Sequence, residues 1–109
     1  MLYLDANIFI FAAINTEEQG EKAVALLKEI QQGEEQAVTS VLTFDEVFWE
    51  VKKNRGMEKA LETAEAMLNF PNLEIIRVDK ELASSALQLI REYRLAPRDA
   101  IHAATALME

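Results

Sequence analysis

The chain has 109 residues, half of them apolar, with a net charge of −8 and no cysteine. This length suits one domain with its own core, and no stretch rich in Pro, Gly or Ser marks a linker, so we predict a single domain over residues 1–109. No apolar run approaches the ~20 residues that span a bilayer, which argues against membrane insertion. The lack of a signal peptide and of cysteine predicts a cytoplasmic location.

The predicted elements alternate one strand with two helices. In chain order they are a strand at 2–4, helices at 7–13 and 16–33, a strand at 36–39, helices at 41–55 and 57–68, a strand at 73–78, and helices that begin after Asp79 and at Pro97. Thr16 and Gln19 match a capping box that starts the second helix, and Gly33 ends it. This order predicts a parallel sheet with right-handed crossovers, covered on both faces, in three α/β/α layers.

Three carboxylates stand where an apolar run meets a helix: Asp5, Glu46 and Asp99. In open α/β sheets, ligands gather at the carboxyl ends of parallel strands, where acids placed in this way converge. An ionised carboxylate at the rim of a core is costly unless a cation offsets it. Because the chain has no cysteine and one histidine, a zinc site of the Cys/His type is excluded, and the pattern predicts a metal held by oxygen atoms.

Each acid also has a simpler interpretation. Asp5 fits the N-cap of the following helix, and Asp99 lies in a first helical turn, where the helix dipole favours an acid. Thr43 and Glu46 match a capping box, and Asp45 is an alternative functional acid beside Glu46.

Other polar and aromatic residues also have both a functional and a structural interpretation. His102 lies three residues after Asp99, and packing or hydrogen bonding is favoured over a role as general base. Asn7 more often caps or turns a chain than reacts. Trp49 suits the core or a subunit contact better than base stacking. The net charge argues against nucleic acid, although divalent ions at an acidic site would reduce it locally.

Taken together, three segments resemble the PIN domain family, and most closely its small prokaryotic VapC-type toxins. They are residues 2–9 (Leu-Tyr-Leu-Asp-Ala-Asn-Ile-Phe), 39–47 (Thr-Ser-Val-Leu-Thr-Phe-Asp-Glu-Val) and 99–107 (Asp-Ala-Ile-His-Ala-Ala-Thr-Ala-Leu). The resemblance spans the chain in order and spacing, and the third segment is the most specific.

The resemblance implies a Mg²⁺- or Mn²⁺-dependent ribonuclease whose catalytic and metal-binding positions are Asp5, Glu46 and Asp99. It favours Glu46 over Asp45, puts the polar Asn7 beside the first acid, and gives Ser40 as the cap of the helix that bears Glu46. It also implies RNA as substrate, a cognate antitoxin as partner, and a homodimer.

Three arginines near the last acid are candidates for RNA binding: Arg91, Arg94 and Arg98. Cations near the C-terminal ends of helices also interact favourably with the helix dipole, which is the simpler interpretation of these arginines. PIN domains of this kind usually continue beyond the alanine-rich last helix into a further strand with a fourth acidic or polar residue. We therefore expect a C-terminally short PIN-like domain with weak activity.

Two other functions stay open. Asp5 follows a strand as the nucleophile of aspartyl phosphotransferases does, but those enzymes have Asp-x-Asp where this chain has Asn7 as the second residue. Alternatively, the chain is a catalytically weakened PIN-like module for binding or assembly.

Overall fold

The computed structural model describes residues 1–108. Its elements, in chain order, are β1 (Leu2–Tyr3), α1 (Ala6–Ile14), α2 (Glu18–Gln31), β2 (Ala37–Ser40), α3 (Val41–Arg55), α4 (Met57–Leu68), β3 (Leu73–Ile76), α5 (Lys80–Tyr93) and α6 (Pro97–Met108). This order confirms the predicted alternation of one strand with two helices. Among the described helices, none is long and apolar enough to cross a membrane.

The three strands form one parallel sheet in the order β1-β2-β3. Because both crossovers move across the sheet in the same direction and parallel crossovers are right-handed, the pairs α1/α2 and α3/α4 fall on the same face. All four residues of β2 are buried. Since neighbouring residues of a strand point to opposite faces, both faces of the sheet are covered. The three-layer prediction is confirmed.

Each face has its own apolar core. The larger core joins α1 to α4 and includes Ile30, Val47, Val51 and Ala60, all fully buried. The smaller core packs α5 against α6 and contains Leu82, Ala86, Ala100 and Ala104. Helix α6 also contacts β2, so the smaller core rests on the sheet through α6.

Two predicted helix caps are wrong. Helix α2 has Glu17, not Thr16, at its N-cap position, and Glu17 makes no side-chain cap. Instead, Asn15 Oδ1 accepts hydrogen bonds from the backbone N–H groups of Glu17 (2.8 Å) and Gly20 (3.1 Å), so the side chain that bonds the start of α2 comes from the residue before Thr16. Helix α3 begins two residues before Thr43, which is buried inside the helix, so Thr43 does not form a capping box.

Candidate active site

The first acid begins helix α1 at the carboxyl end of β1. Asp5 is the N-cap of α1, and its Oδ1 accepts a hydrogen bond from the Asn7 N–H at 2.9 Å. That bond uses one carboxylate oxygen of Asp5, which is an exposed residue. The capping role predicted for Asp5 is therefore present, and it is compatible with metal binding through the second oxygen.

The second acid lies on the helix that follows β2. Ser40, the last residue of β2, caps α3 by accepting a hydrogen bond from the Leu42 N–H at 3.0 Å, as the resemblance implied. This cap sets the direction in which α3 leaves the sheet. Because β1 and β2 are parallel neighbours, Asp5 and the second-turn residue Glu46 belong to the same edge of the sheet.

A histidine from the last helix holds the second acid. His102 Nε2 lies 2.7 Å from Glu46 Oε1, and His102 Nδ1 is hydrogen-bonded to the Tyr3 hydroxyl. A carboxylate accepts hydrogen bonds, so Nε2 carries the proton; in the neutral ring Nδ1 then accepts from the phenol. Both ring nitrogens are engaged, which agrees with the prediction that His102 is hydrogen-bonded rather than a free base. Sequence analysis did not identify Tyr3.

Two buried threonines, Thr39 and Thr43, lie close to the Tyr3 phenol. The Thr39 hydroxyl bonds the Leu4 carbonyl oxygen at 2.6 Å and lies 2.8 Å from the Thr43 hydroxyl. Burial raises the pKa of Tyr3 above its ordinary value of 10.0, and hydrogen bonding with the Thr43 and Thr39 hydroxyls opposes this rise, while the charge of Glu46 adds to it. Tyr3 therefore keeps its proton and donates to His102.

This raised pKa predicts a loss of stability in base. The stabilisation is complete below pH about 10, the unfolded value, and is lost as pH rises through the higher folded value, because the unfolded chain ionises first. Denaturant unfolding across this pH range should show a decline in the free energy of unfolding that is absent in Tyr3→Phe. Below pH about 10 the free energy of unfolding of this variant should be about 1 kcal/mol lower than that of the parent, because the hydrogen bond to His102 is lost. The exposed Tyr93 supplies the control: Tyr93→Phe should retain the decline. A decline of equal size in Tyr3→Phe would contradict the assignment.

The third acid lies at the start of α6. Asp99 is exposed in the first turn, three residues before His102 and therefore on the same helix face. Its neighbour Arg98 places Nη1 3.9 Å from Glu46 Oε2. Among the described residues, Arg98 is the one candidate arginine that forms an ion pair with a proposed site acid. Arg91 lies in the last turn of α5, and Arg94 ends that helix in a left-handed conformation (φ 58°).

Glu46 and Arg98 border an open cleft of about 460 Å³, whereas Asp5 and Asp99 are not among its lining residues. Its lining comes from α1, α3 and α6: Ala6, Asn7, Ile10, Asp45, Glu46, Trp49, Glu50 and Arg98. The cleft thus brings together three of the candidate residues, Asn7, Glu46 and Arg98, and it adds Trp49. Asp45 lies in the cleft as well, beside Glu46.

A family model for the PIN domain matches residues 2–109, which is nearly the whole chain. The chain is a PIN domain. No curated protein matches its sequence.

Three solved structures are similar to this PIN domain over almost its full length. VapC20 of Mycobacterium tuberculosis, a toxin that cleaves the sarcin–ricin loop, has 15% identity and a TM-score of 0.78, covering 99% of this chain and 82% of VapC20. A toxin–antitoxin complex from Klebsiella pneumoniae has 25% identity and a TM-score of 0.67, covering 98% of this chain and 78% of the other. VapBC2 of Rickettsia felis, bound to a promoter DNA fragment, has 20% identity and a TM-score of 0.71, covering 97% and 80%.

The donor atoms of this PIN domain suit a hard divalent cation. The acids offer carboxylate oxygens only, and His102 has no nitrogen free to bind a metal, so the set matches what Mg²⁺ and Mn²⁺ prefer. Glu46 is held by His102 and Arg98, and within residues 1–108 no three acidic or histidine side chains stand close enough to share one ion. That Asp5, Glu46 and Asp99 bind one ion together therefore stays a prediction.

Proposed function

We propose that this PIN domain is a metal-dependent ribonuclease and the toxin of a toxin–antitoxin pair, with Asp5, Glu46 and Asp99 as its metal-binding carboxylates. The proposal rests on one observation: the carboxyl ends of the parallel neighbours β1 and β2 lie at the same edge of the sheet. Asp5 follows β1, and Glu46 lies on the helix that follows β2. Asp99 is supported by its neighbours on α6, Arg98 and His102, which both reach Glu46.

In this proposal the reaction is hydrolysis of an RNA phosphodiester. Mg²⁺ or Mn²⁺, which Asp5, Glu46 and Asp99 would hold, would supply Lewis-acid stabilisation of the charge on the phosphate. The side chains of this domain do the positioning: His102 holds the Glu46 carboxylate, Asp5 is held by its own helix cap, and Arg98 offers a cation to a phosphate oxygen. Arg91 and Arg94 remain candidates for contacts further along the RNA.

The partners are proposed on separate grounds. Two of the structural neighbours are toxin–antitoxin complexes, which supports a cognate antitoxin for this chain, acting in the cytoplasm. A homodimer is proposed on the family resemblance alone.

The test is cleavage of single-stranded RNA by the purified chain with Mg²⁺ or Mn²⁺, compared with the same reaction in chelator. We expect metal-dependent fragments, and Glu46→Gln should lower the rate by about a hundredfold or more because a ligand is lost. Asp45→Asn is the matched control, since Asp45 is the neighbouring acid in the same cleft, and it should keep most of the rate.

Two results would overturn the proposal. Metal binding without cleavage of any RNA would favour the weakened binding or assembly module, which has one observation behind it: the ion pair of Glu46 with Arg98. Loss of cleavage in Asp45→Asn with retention in Glu46→Gln would show that the wrong acid has been assigned.

A further inference from the structure

Trp49 is a large aromatic side chain left open inside the candidate active-site cleft. It is 60% exposed, although single apolar side chains on a surface are common and need no explanation by themselves. What sets Trp49 apart is its location, because it lines the same cleft as Asn7, Glu46 and Arg98. Lys52 Nζ lies 4.9 Å from the ring centroid, and this cation orients the indole while most of the ring stays accessible.

The charges around Trp49 disfavour a phosphate at this end of the cleft. Besides Glu46, whose charge a bound metal would offset, the cleft lining has two further acids, Asp45 and Glu50, and one cation, Arg98. The whole chain carries a net charge of −8, so long-range attraction to a polyanion is absent. A neutral, flat group meets no such repulsion, and stacking on an aromatic ring does not depend on net charge.

The spacing along α3 links Trp49 to the site. Trp49 follows Glu46 by three residues, which puts it on the same helix face, about 4.5 Å further along the axis. A phosphate held beside Glu46 therefore brings the base of the adjoining nucleotide within reach of the indole.

We propose that Trp49 is a nucleobase-stacking site of the cleft, which binds an unpaired base next to the phosphate at Glu46 and so selects single-stranded RNA. The inference rests on the proposed nuclease function, and it adds what that function lacks: a source of RNA affinity in an acidic domain. Lys52 assists by holding the ring from the face over which its Nζ lies.

The experiment measures binding apart from cleavage. Trp49 is the single tryptophan of the chain, so its fluorescence reports the site directly. The probe is a short single-stranded RNA, added in chelator, alongside the same ribose-phosphate backbone without bases. We expect RNA to quench the fluorescence and the base-free backbone to leave it unchanged. Trp49→Leu should weaken RNA affinity, measured by anisotropy of a labelled RNA, by about ten- to a hundredfold.

Three further variants and conditions sharpen the test. Trp49→Phe keeps a ring and should recover most of the affinity, and Tyr93→Leu, which removes an exposed aromatic outside the cleft, should bind RNA like the parent. The loss in Trp49→Leu should have the same size at low and high salt, because stacking releases few counterions.

Equal RNA affinity in Trp49→Leu and the parent, or equal quenching by the base-free backbone, would overturn the inference. A fluorescence change that follows protein concentration without RNA would also overturn it, since Trp49 would then be a subunit contact. The two proposals fail separately: loss of cleavage in Glu46→Gln with RNA affinity unaffected by Trp49→Leu rejects stacking alone. Quenching by RNA that depends on bases, with no cleavage under any metal, rejects the nuclease alone.

Discussion

His102→Ala is expected to lower the affinity of the site for Mn²⁺ by about ten- to a hundredfold, the usual cost of removing a group that orients a metal ligand. His102 bonds Glu46 through Nε2 at 2.7 Å and is itself held by Tyr3, so it determines which way the carboxylate points. Without the ring, Glu46 pairs with Arg98 alone and must give up that contact to bind a metal. Calorimetric titration of the folded protein with Mn²⁺ measures the change.

A double-mutant cycle separates this positioning role from general loss of structure. If His102 acts through Glu46, then His102→Ala should have no further effect on Mn²⁺ affinity in a Glu46→Gln background. His102→Gln, whose amide can donate to the carboxylate, should recover part of the affinity. Additive losses in the double variant would show that His102 supports the fold rather than the ligand.

Gly20→Ala is expected to destabilise the domain by about 3 kcal/mol or more, as measured by denaturant unfolding. A Cβ on Gly20 would stand 1.8 Å from the Asn15 carbonyl oxygen, a backbone atom that cannot swing aside. The same approach lets Asn15 Oδ1 accept from the Gly20 N–H, so the clash also breaks the turn between α1 and α2.

Gly56→Ala is the matched comparison, because the substitution is the same and the cause of strain differs. Gly56 has φ 91° and ψ 174°, with no atom within 4 Å of the added Cβ. Its cost should be that of backbone strain alone, about 1–3 kcal/mol, and below that of Gly20→Ala. The reverse order would mean that the α1–α2 turn yields more easily than its geometry indicates.

The starts of two helices were predicted correctly from local sequence signals. Asp79 accepts from the Leu82 N–H at 2.9 Å, and Pro97 opens α6, as predicted. The Thr16 cap was wrong because Glu17 is the N-cap residue of α2, and because Asn15, at the end of the preceding helix, accepts from the Glu17 and Gly20 N–H groups. A local sequence pattern does not show which of several adjacent polar residues bonds the start of a helix.

The partners of the site were beyond sequence reasoning for a related reason. His102 lies 56 residues from Glu46 and 99 residues from Tyr3, and hydrophobic periodicity carries no information on which side chains meet over such separations. The acids were proposed because each lies near a strand end or a helix start, which is a local feature. Arg98 was selected for its charge, but its contact with Glu46 depends on how α6 packs against β2.

The sequence by itself determined the order of strands and helices, the parallel sheet, the exclusion of a Cys/His metal site and the family, since apolar spacing, composition and three local motifs carry these. Only the tertiary structure decided that His102 is held between Tyr3 and Glu46, that Arg98 faces the second acid, and that Trp49 opens into the same cleft. The physical reason is that such contacts depend on the packing of α3 and α6 against the sheet, which is set by the whole core and not by any one segment.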